Sequence, residues 1–334
     1  MKITDTLKRP LQDLRISVTD RCNFRCTYCM PKEIFGRDHI FLTREELLTF
    51  EEIVRLANIF VSLGVRKIRL TGGEPLLRKE IEVLINMLAQ IPGLDIAMTT
   101  NGALLAEKAQ MLKDAGLKRV TVSLDSVDDT TFKAMNDVNF PVQRVLDGIE
   151  TAKQVGLTPI KVNMVVKRGV NDQDILSMAR YFRETGDTVR FIEYMDVGTT
   201  NGWKLDDVVS AQEMLSIIHK EFALEPIAPD YFGEVSRRWR YQDDRAEIGI
   251  ITSVTQPFCS HCTRARLSAR GQLYTCLFGT KGYDLRTLLR DGSSDEAICA
   301  ILKQHWGQRN DRYSEVRSEH TANLPKVEMS YIGG

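Results

Sequence analysis

The chain carries no net charge at neutral pH: 45 lysines and arginines balance 45 aspartates and glutamates over 334 residues. Nothing in that balance recruits nucleic acid or an anionic membrane surface, so any anion site must be a local concentration of cations. No basic stripe with interleaved aromatics occurs, which sets aside a nucleic-acid-binding protein. The opening Met1-Lys2-Ile3-Thr4-Asp5 lacks an apolar signal core, and no later run approaches the ~20 apolar residues that span a bilayer. Internal repeats and low-complexity tracts are missing, and without a Walker A motif P-loop phosphate chemistry is excluded. Hydrophobic residues make up 43% and charged residues 27%, proportions that fit neither disorder, nor collagen-like repeats, nor small disulfide frameworks. A folded cytoplasmic protein with a large core is expected.

From residue 14 to about 195, short β-rich runs alternate with longer amphipathic ones, the pattern of a parallel sheet. Six strands are predicted, at 14–19, 66–71, 95–100, 119–125, 159–166 and 189–194, with helices at 43–63, 78–91, 104–115, 141–155 and 172–185. Thr43-Arg44-Glu45-Glu46 reads as a helix start, and Gly64, Gly116 and Gly156 as helix exits. Six units are too few for a closed eightfold barrel. The expected fold is α/β, a partial (βα)6 barrel over 1–200, with chemistry at the C-terminal ends of its strands. Residues 201–334 form a C-terminal extension that packs against the barrel.

Six of the seven cysteines fall into two triplets. Cys22, Cys26 and Cys29 offer three thiolates within one loop directly after the first strand, and thiolates select iron–sulfur clusters or zinc. A 4Fe-4S cubane held by three cysteines keeps one iron open to a further ligand. The alternative, a closed zinc site completed by His39, fits less well with the Cys-x3-Cys-x2-Cys spacing than paired knuckles would. Cys299, in Ala297-Ile298-Cys299-Ala300-Ile301, reads as a small apolar core residue.

The first triplet, with Tyr28 before its last cysteine and Thr71-Gly72-Gly73-Glu74-Pro75 at the end of the second strand, resembles the radical S-adenosylmethionine enzymes. The resemblance implies that the open iron chelates S-adenosylmethionine, that reduction of the cluster generates a 5′-deoxyadenosyl radical, and that the glycine turn lets backbone approach the cofactor.

The second triplet, Cys259, Cys262 and Cys276, again permits a cluster with one open iron, and zinc with His261 is its rival. With Cys259-Ser260-His261-Cys262-Thr263-Arg264-Ala265-Arg266 and the closing Tyr331-Ile332-Gly333-Gly334, the resemblance narrows over essentially the whole chain to the GTP 3′,8-cyclases of molybdenum cofactor biosynthesis. A lysine at position 8, where that family often has glycine, touches only the N-terminal lead-in. The family implies two 4Fe-4S clusters, the second one contacting the guanine of GTP. It implies S-adenosylmethionine contacts at Tyr28, Gly73, Ser123 and Met195. GTP contacts are implied at Arg15, Arg69, Thr99, Lys161, Arg264, Ala265 and Arg266, with Lys67 and Arg190 as phosphate partners. Arg264, Arg266 and the tail Gly333-Gly334 are expected to take part in cyclisation. A homodimer and an external electron donor are implied as well.

Strand parity points the same way without the resemblance. Arg15, Ser17 and Thr19 alternate with apolar residues, as do Lys67, Arg69 and Thr71, then Thr121, Ser123 and Asp125, then Lys161 and Asn163. Helices cover the outer face of a parallel sheet, so the polar set, with Arg190, is expected inside, where unpaired cations call for a polyanion. Two rivals remain: a peptide-modifying radical enzyme with an auxiliary cluster, and a non-catalytic iron–sulfur sensor. The first usually carries more C-terminal cysteines, and the second needs neither the glycine turn nor the inward cations.

Overall fold

The structure, a computed structural model, describes residues 3–243, 246–318 and 324–333. All six predicted strands form within one or two residues of their expected ends: β1 Asp13–Ser17, β2 Lys67–Thr71, β3 Asp95–Thr100, β4 Arg119–Ser123, β5 Lys161–Val166 and β6 Thr188–Glu193. The helices between them are α1 Phe50–Ser62, α2 Ile81–Ala89, α3 Leu105–Asp114, α4 Asp129–Asn136, α5 Val142–Gln154 and α6 Ile175–Thr185.

Three helix starts differ from expectation for identifiable reasons, that of α6 because Asp172–Asp174 form a 3-10 turn ahead of Ile175. Thr43 and Glu46 do make a capping-type turn, the Thr43 N–H donating to Glu46 Oε2 at 3.0 Å. It does not propagate, because the Leu48 N–H is drawn away to the Ala269 carbonyl at 2.9 Å. The helix begins one motif later, where Thr49 and Glu52 form a complete capping box. Before α2, Pro75–Leu77 form a 3-10 turn and Glu80 adopts a left-handed conformation, so helix starts at Ile81 instead of Arg78. Helix α4 was not expected; Asp128 caps it by accepting from the Thr131 N–H at 2.8 Å.

Beyond residue 200 the chain adds α7 Ala211–His219, β7 Leu224–Ile227, β8 Arg237–Tyr241, β9 Glu247–Ile251, β10 Arg264–Leu267, β11 Gln272–Tyr274, β12 Tyr283–Asp284, α8 Arg286–Arg290, α9 Asp295–Gly307 and α10 Met329–Ile332. These strands do not pack on the barrel as a separate layer. They extend its sheet at both edges, in the order β12-β11-β10-β1-β2-β3-β4-β5-β6-β9-β8-β7. β10 lies parallel to β1 and β9 parallel to β6, so eight consecutive parallel strands enclose the interior, flanked by antiparallel hairpins. Among the described residues the two outermost strands, β12 and β7, do not pair, and the barrel stays open.

The core lies between sheet and helices. Leu14, Ile16, Ile68, Leu70, Met98, Val122, Val162 and Phe191 are fully buried against Leu56, Phe60, Leu84, Leu112, Val145, Met178 and Phe182. Each such side chain contributes about 1.5–3 kcal/mol by leaving water. This outer apolar layer consumes alternate positions of each strand, the even ones on β1 to β5 and the odd ones on β6 and β10, and commits the others to the interior. Cys299 sits on α9, partly buried against the same core. No helix among the described residues is long and apolar enough to cross a membrane.

Candidate active site

The two cysteine triplets lie at opposite ends of the barrel. Cys22, Cys26 and Cys29 follow the C-terminal end of β1, whereas Cys259 and Cys262 precede β10, which runs parallel to β1. Cys276 follows β11, antiparallel to β10, and so returns to the same end as Cys262.

The first loop is fixed by its backbone. Between the cysteines, the Arg25 N–H donates to the Asn136 carbonyl at 2.9 Å and the Thr27 N–H to the Met135 carbonyl at 3.2 Å, so the end of α4 carries the loop. Asn101 Nδ2 donates to Asn23 Oδ1 at 2.8 Å and lies 3.8 Å from the Cys22 sulfur. Burial is the main cause that pushes the Cys22 thiol up to about 12, with Glu74 adding to it, and it raises Cys26 and Cys29 as well. Cys22, Cys26 and Cys29 repel one another as thiolates, which places them within electrostatic reach of each other. Deprotonated sulfurs are therefore costly here until a cation shares them, the behaviour of a ligand set that waits for metal.

The glycine turn has a different use from the one its motif suggests. A Cβ on Gly73 would overlap the Arg21 carbonyl, and one on Gly72 the Thr19 backbone. The two glycines thus let the end of β2 dock against the loop after β1, where the Gly73 N–H donates to the Thr19 carbonyl and the Glu74 N–H to the Arg21 carbonyl, each at 2.8 Å. Glu74, buried, accepts from the Leu76 N–H at 3.0 Å, Thr100 Oγ1 at 2.8 Å and the Asn101 N–H at 2.7 Å. Burial raises its carboxyl to about 7 despite those three donors.

The residues expected around S-adenosylmethionine all sit at the strand ends of this rim. Tyr28 is buried beside Met135 and Tyr194, and its hydroxyl donates to Asp125 Oδ2 at 2.9 Å. Ser123 ends β4, and Met195 follows β6, its carbonyl accepting from Asn201 Nδ2 at 3.0 Å.

Inside the barrel the cations form rows across strands. Arg266, Arg15 and Arg69 share one register level on β10, β1 and β2, and Lys67 lies level with Asp13 and Arg264. Arg69 Nη1 donates to Thr99 and Thr121 hydroxyls, each at 3.0 Å, and Arg190 Nη2 reaches Thr121 at 3.4 Å. Burial and then repulsion from Arg266, Arg264 and Arg69 hold the Arg15 guanidinium well below its usual range. Burial and Arg69 bring Lys67 down to about 8, and the same pair of causes brings Arg190 to about 10. Burial and Arg190 also lower Lys161. Arg190 Nε and Asn163 Oδ1 are buried without a partner. A cavity of about 480 Å3 opens beside Lys161, Arg190, Glu234 and Arg238. An anion placed among these groups would relieve strain that the protein alone leaves unrelieved.

Arg264 and Arg266 point inward, whereas Ala265 faces the apolar core between them. Any contact from position 265 to a ligand in the barrel must use its main chain. The Arg264 guanidinium lies 3.4 Å from the Cys262 sulfur and 5.0 Å from the Phe258 ring centroid. Burial pushes Cys262 up, but Arg264 and Arg309 outweigh it and leave the thiol at about 6, a thiolate at neutral pH. Burial raises Cys276 to about 11.

Both donor sets fit iron–sulfur clusters: three thiols in each, partly enclosed, with no disulfide among them. Among the described residues no trio of His, Cys, Asp or Glu converges on one ion-sized point, which a cubane does not require, since its irons occupy separate corners. His261 is exposed and turned to Ser260 and Phe232, away from a ligand role.

The tail runs from the first rim into the barrel. Met329 packs against the cluster of Tyr28, Met135 and Tyr194, as Cys26 and Cys29 also do, while the Gly333 carbonyl accepts from Arg266 Nη1. Gly333 has φ +76°, and a Cβ there would lie 2.6 Å from Thr71 Oγ1, so only glycine fits. Gly334 lies outside the described residues. Residues that the sequence reading did not single out include Asn136 and Tyr231, whose ring lies 5.2 Å from Lys67 Nζ, while Glu74 and Asp125 entered it only as members of the glycine turn and of the inward face. The unexpected α4 and the loop position of Tyr231 left no periodic signal by which to find them.

Two family models match the chain, the Radical SAM superfamily over residues 16–182 and Molybdenum Cofactor Synthesis C over residues 187–315. The chain is 51% identical to a GTP 3′,8-cyclase of Acidothermus cellulolyticus, covering 99% of both chains. It is also 51% identical to one of Staphylococcus saprophyticus, covering 100% of this chain and 99% of the other. Among solved structures, Streptococcus suis SuiB bound to S-adenosylmethionine matches with a TM-score of 0.62 at 13% identity, covering 88% of this chain and 68% of that one. At that identity the likeness is one of fold.

Proposed function

The chain belongs to the GTP 3′,8-cyclases of the radical S-adenosylmethionine superfamily, and from that premise we propose how its own residues divide the work. The reaction joins C8 of guanine to the ribose 3′ carbon of GTP, the first step of molybdenum cofactor biosynthesis. When bound, two 4Fe-4S clusters and S-adenosylmethionine supply an electron and a hydrogen-abstracting radical; Cys22, Cys26 and Cys29 would hold one cluster, and Cys259, Cys262 and Cys276 the other.

The observation that carries the assignment is the set of inward cations whose charges oppose one another inside the barrel. Arg15, Lys67, Arg69, Lys161 and Arg190 hold the triphosphate, with Thr99 and Thr121 fixing Arg69 in place. Tyr28, Gly73, Ser123 and Met195 form the rim that seats S-adenosylmethionine. Arg264 lies at the second cysteine triplet and Arg266 at the tail, so these two orient the nucleoside between the ends of the barrel. Gly333 closes that space without a side chain, and Gly334 is assigned to cyclisation with it. We assign residues 1–200 to the radical barrel and 201–334 to the second cluster and substrate. The reading further takes the enzyme as a cytoplasmic homodimer served by an external electron donor.

Anaerobic reconstitution tests it. With dithionite, S-adenosylmethionine and GTP, mass spectrometry should find 5′-deoxyadenosine and an isomer of GTP of unchanged mass. Deoxyadenosine with intact GTP would remove the substrate assignment, and neither product would remove the radical one.

A further inference from the structure

Beside the second cysteine triplet, Asp5 and Arg9, one helical turn's spacing apart near the N-terminus, meet Arg309 in the interior. Asp5, Arg9 and Arg309 have side chains no more than 1% exposed. Asp5 Oδ2 accepts from Arg9 Nε at 2.6 Å and from Arg309 Nη1 at 3.1 Å. Asp311 takes one further bond from each arginine, from Arg9 Nη1 at its carbonyl and from Arg309 Nε at its carboxylate, and Arg9 Nη2 is buried without a partner; the other donors go to main-chain carbonyls of the cysteine-bearing segments. Arg9 Nη1 donates to the Cys259 carbonyl at 2.8 Å, Arg309 Nη1 to the Cys262 carbonyl at 2.9 Å, and Arg309 Nε to the Thr275 carbonyl, next to Cys276, at 3.1 Å. The pair is seated by Trp306, whose indole N–H donates to the Arg9 carbonyl at 3.2 Å and whose ring lies 4.6 Å from the Arg309 guanidinium.

A buried ion cluster is poor evidence for stability, since desolvation offsets most of its attraction. What it does provide is fixed geometry, and here the geometry it fixes is that of a ligand set. The β10–β11 ladder ends at the Arg266–Tyr274 pair, so beyond it the arms carrying Cys262 and Cys276 have no strand pairing to hold their separation. Arg309 spans that gap from one carbonyl to the other, and Arg9 adds the Cys259 arm through the shared carboxylate. Arginine's planar fork of five donors suits this bridging, and a shorter or single-point donor could not reach both arms.

We propose that Asp5, Arg9 and Arg309 are positioning residues for the second iron–sulfur cluster, holding its three cysteine arms at the separation that a cubane needs. The proposal rests on the two-cluster reading above and extends it to residues that touch neither cluster sulfurs nor substrate.

The variants Arg309→Met and Arg9→Met, reconstituted anaerobically beside the unaltered chain, test it through iron and sulfide content and the electron paramagnetic resonance of the reduced protein. The unaltered chain should take up about eight irons. Arg309→Met should fall towards four, lose the resonance that responds to GTP and keep the one that responds to S-adenosylmethionine, with deoxyadenosine still formed. Arg9→Met, which frees one arm only, should fall less. A full iron complement with both resonances unchanged in Arg309→Met overturns the proposal. So does loss of both clusters together with a lowered melting temperature of the metal-free chain, because the triad would then serve the whole fold. Four irons in the unaltered chain would instead remove the two-cluster reading itself.

Discussion

Gly73 has no room for a side chain, and the obstruction is backbone. A methyl group there would overlap the Arg21 carbonyl, which cannot rotate aside as a side chain could. The Gly73→Ala variant must therefore push apart the end of β2 and the loop that carries Cys22, breaking the hydrogen bonds to Thr19 and Arg21. Loss of those two buried bonds costs about 1–3 kcal/mol each. S-adenosylmethionine cleavage should be abolished and the melting temperature lowered. Gly307, at the exposed end of α9 with nothing within 4 Å of its Cβ position, is the control, and Gly307→Ala should leave both unchanged. Full cleavage activity in Gly73→Ala would show that the docking of strand and loop is dispensable. Glu74 beside it illustrates a second residue-scale effect. Its three donors belong to two strand ends, and a carboxylate retained there against burial ties β2 to β3 at the rim.

At the scale of elements, α10 is the part most dependent on its anchors, being only four residues long. Two points hold the segment before it to the loop after β6. Lys326 Nζ donates to Asp196 Oδ2 at 2.8 Å, in a buried site that Arg317 and Tyr313 also share. Glu328 accepts from Thr199 and Thr200. Met195 adjoins Asp196, so one loop carries both a cofactor contact and the tail's anchorage. Lys326→Met leaves Asp196 paired to Arg317 and Tyr313 while removing one of the tail's two anchors. Cyclisation should fall by about 10²-fold, the usual consequence of ~1 Å of misplacement, and deoxyadenosine formation should persist. Deleting Gly333 and Gly334 should act in the same direction with both clusters still assembled. Equal loss of the two products in Lys326→Met would mean that the loop, not the tail, had been disturbed.

The same scale explains what the sequence disclosed. Strands β1 to β6 were legible because each buries one face against helices and must alternate. The inward positions Arg15, Lys67, Arg69 and Lys161 were legible for the same reason, and the cysteine triplets because ligand spacing is local. Helix α4 and the join of β9 and β10 to opposite edges of the sheet were not. Those depend on contacts between segments as far apart as Leu14 and Ala265, and such pairing leaves no periodic trace. The Asp5, Arg9 and Arg309 cluster is invisible for that reason too, because Arg309 lies 304 residues along the chain from the Asp5 it pairs with.

For the molecule as a whole, the barrel is a vessel whose charge is balanced only when an anion enters. Burial, then Arg69, holds Lys67 at about 8, below the ~10.4 of a solvated lysine. Between those values the unfolded chain binds the proton and the folded chain does not, so stability measured without added GTP should rise with pH across that window. Binding of GTP should show the opposite sign. A triphosphate favours the charged ammonium, so above pH 8 it must draw in a proton, and affinity should weaken by up to about tenfold per pH unit. Phosphate loses its last proton near pH 6, so the triphosphate's own titration is complete before this range begins, and guanine N1 titrates only at its alkaline end. Titration calorimetry with GTP from pH 7.5 to 9.5, in buffers of different ionisation enthalpy, reads both the affinity and the proton uptake. Lys67→Arg keeps the charge at every pH in that range and should flatten the first part of the profile. A flat profile in the unaltered protein would place the triphosphate away from Lys67, and with it away from the row of cations that β10, β1 and β2 hold across the barrel.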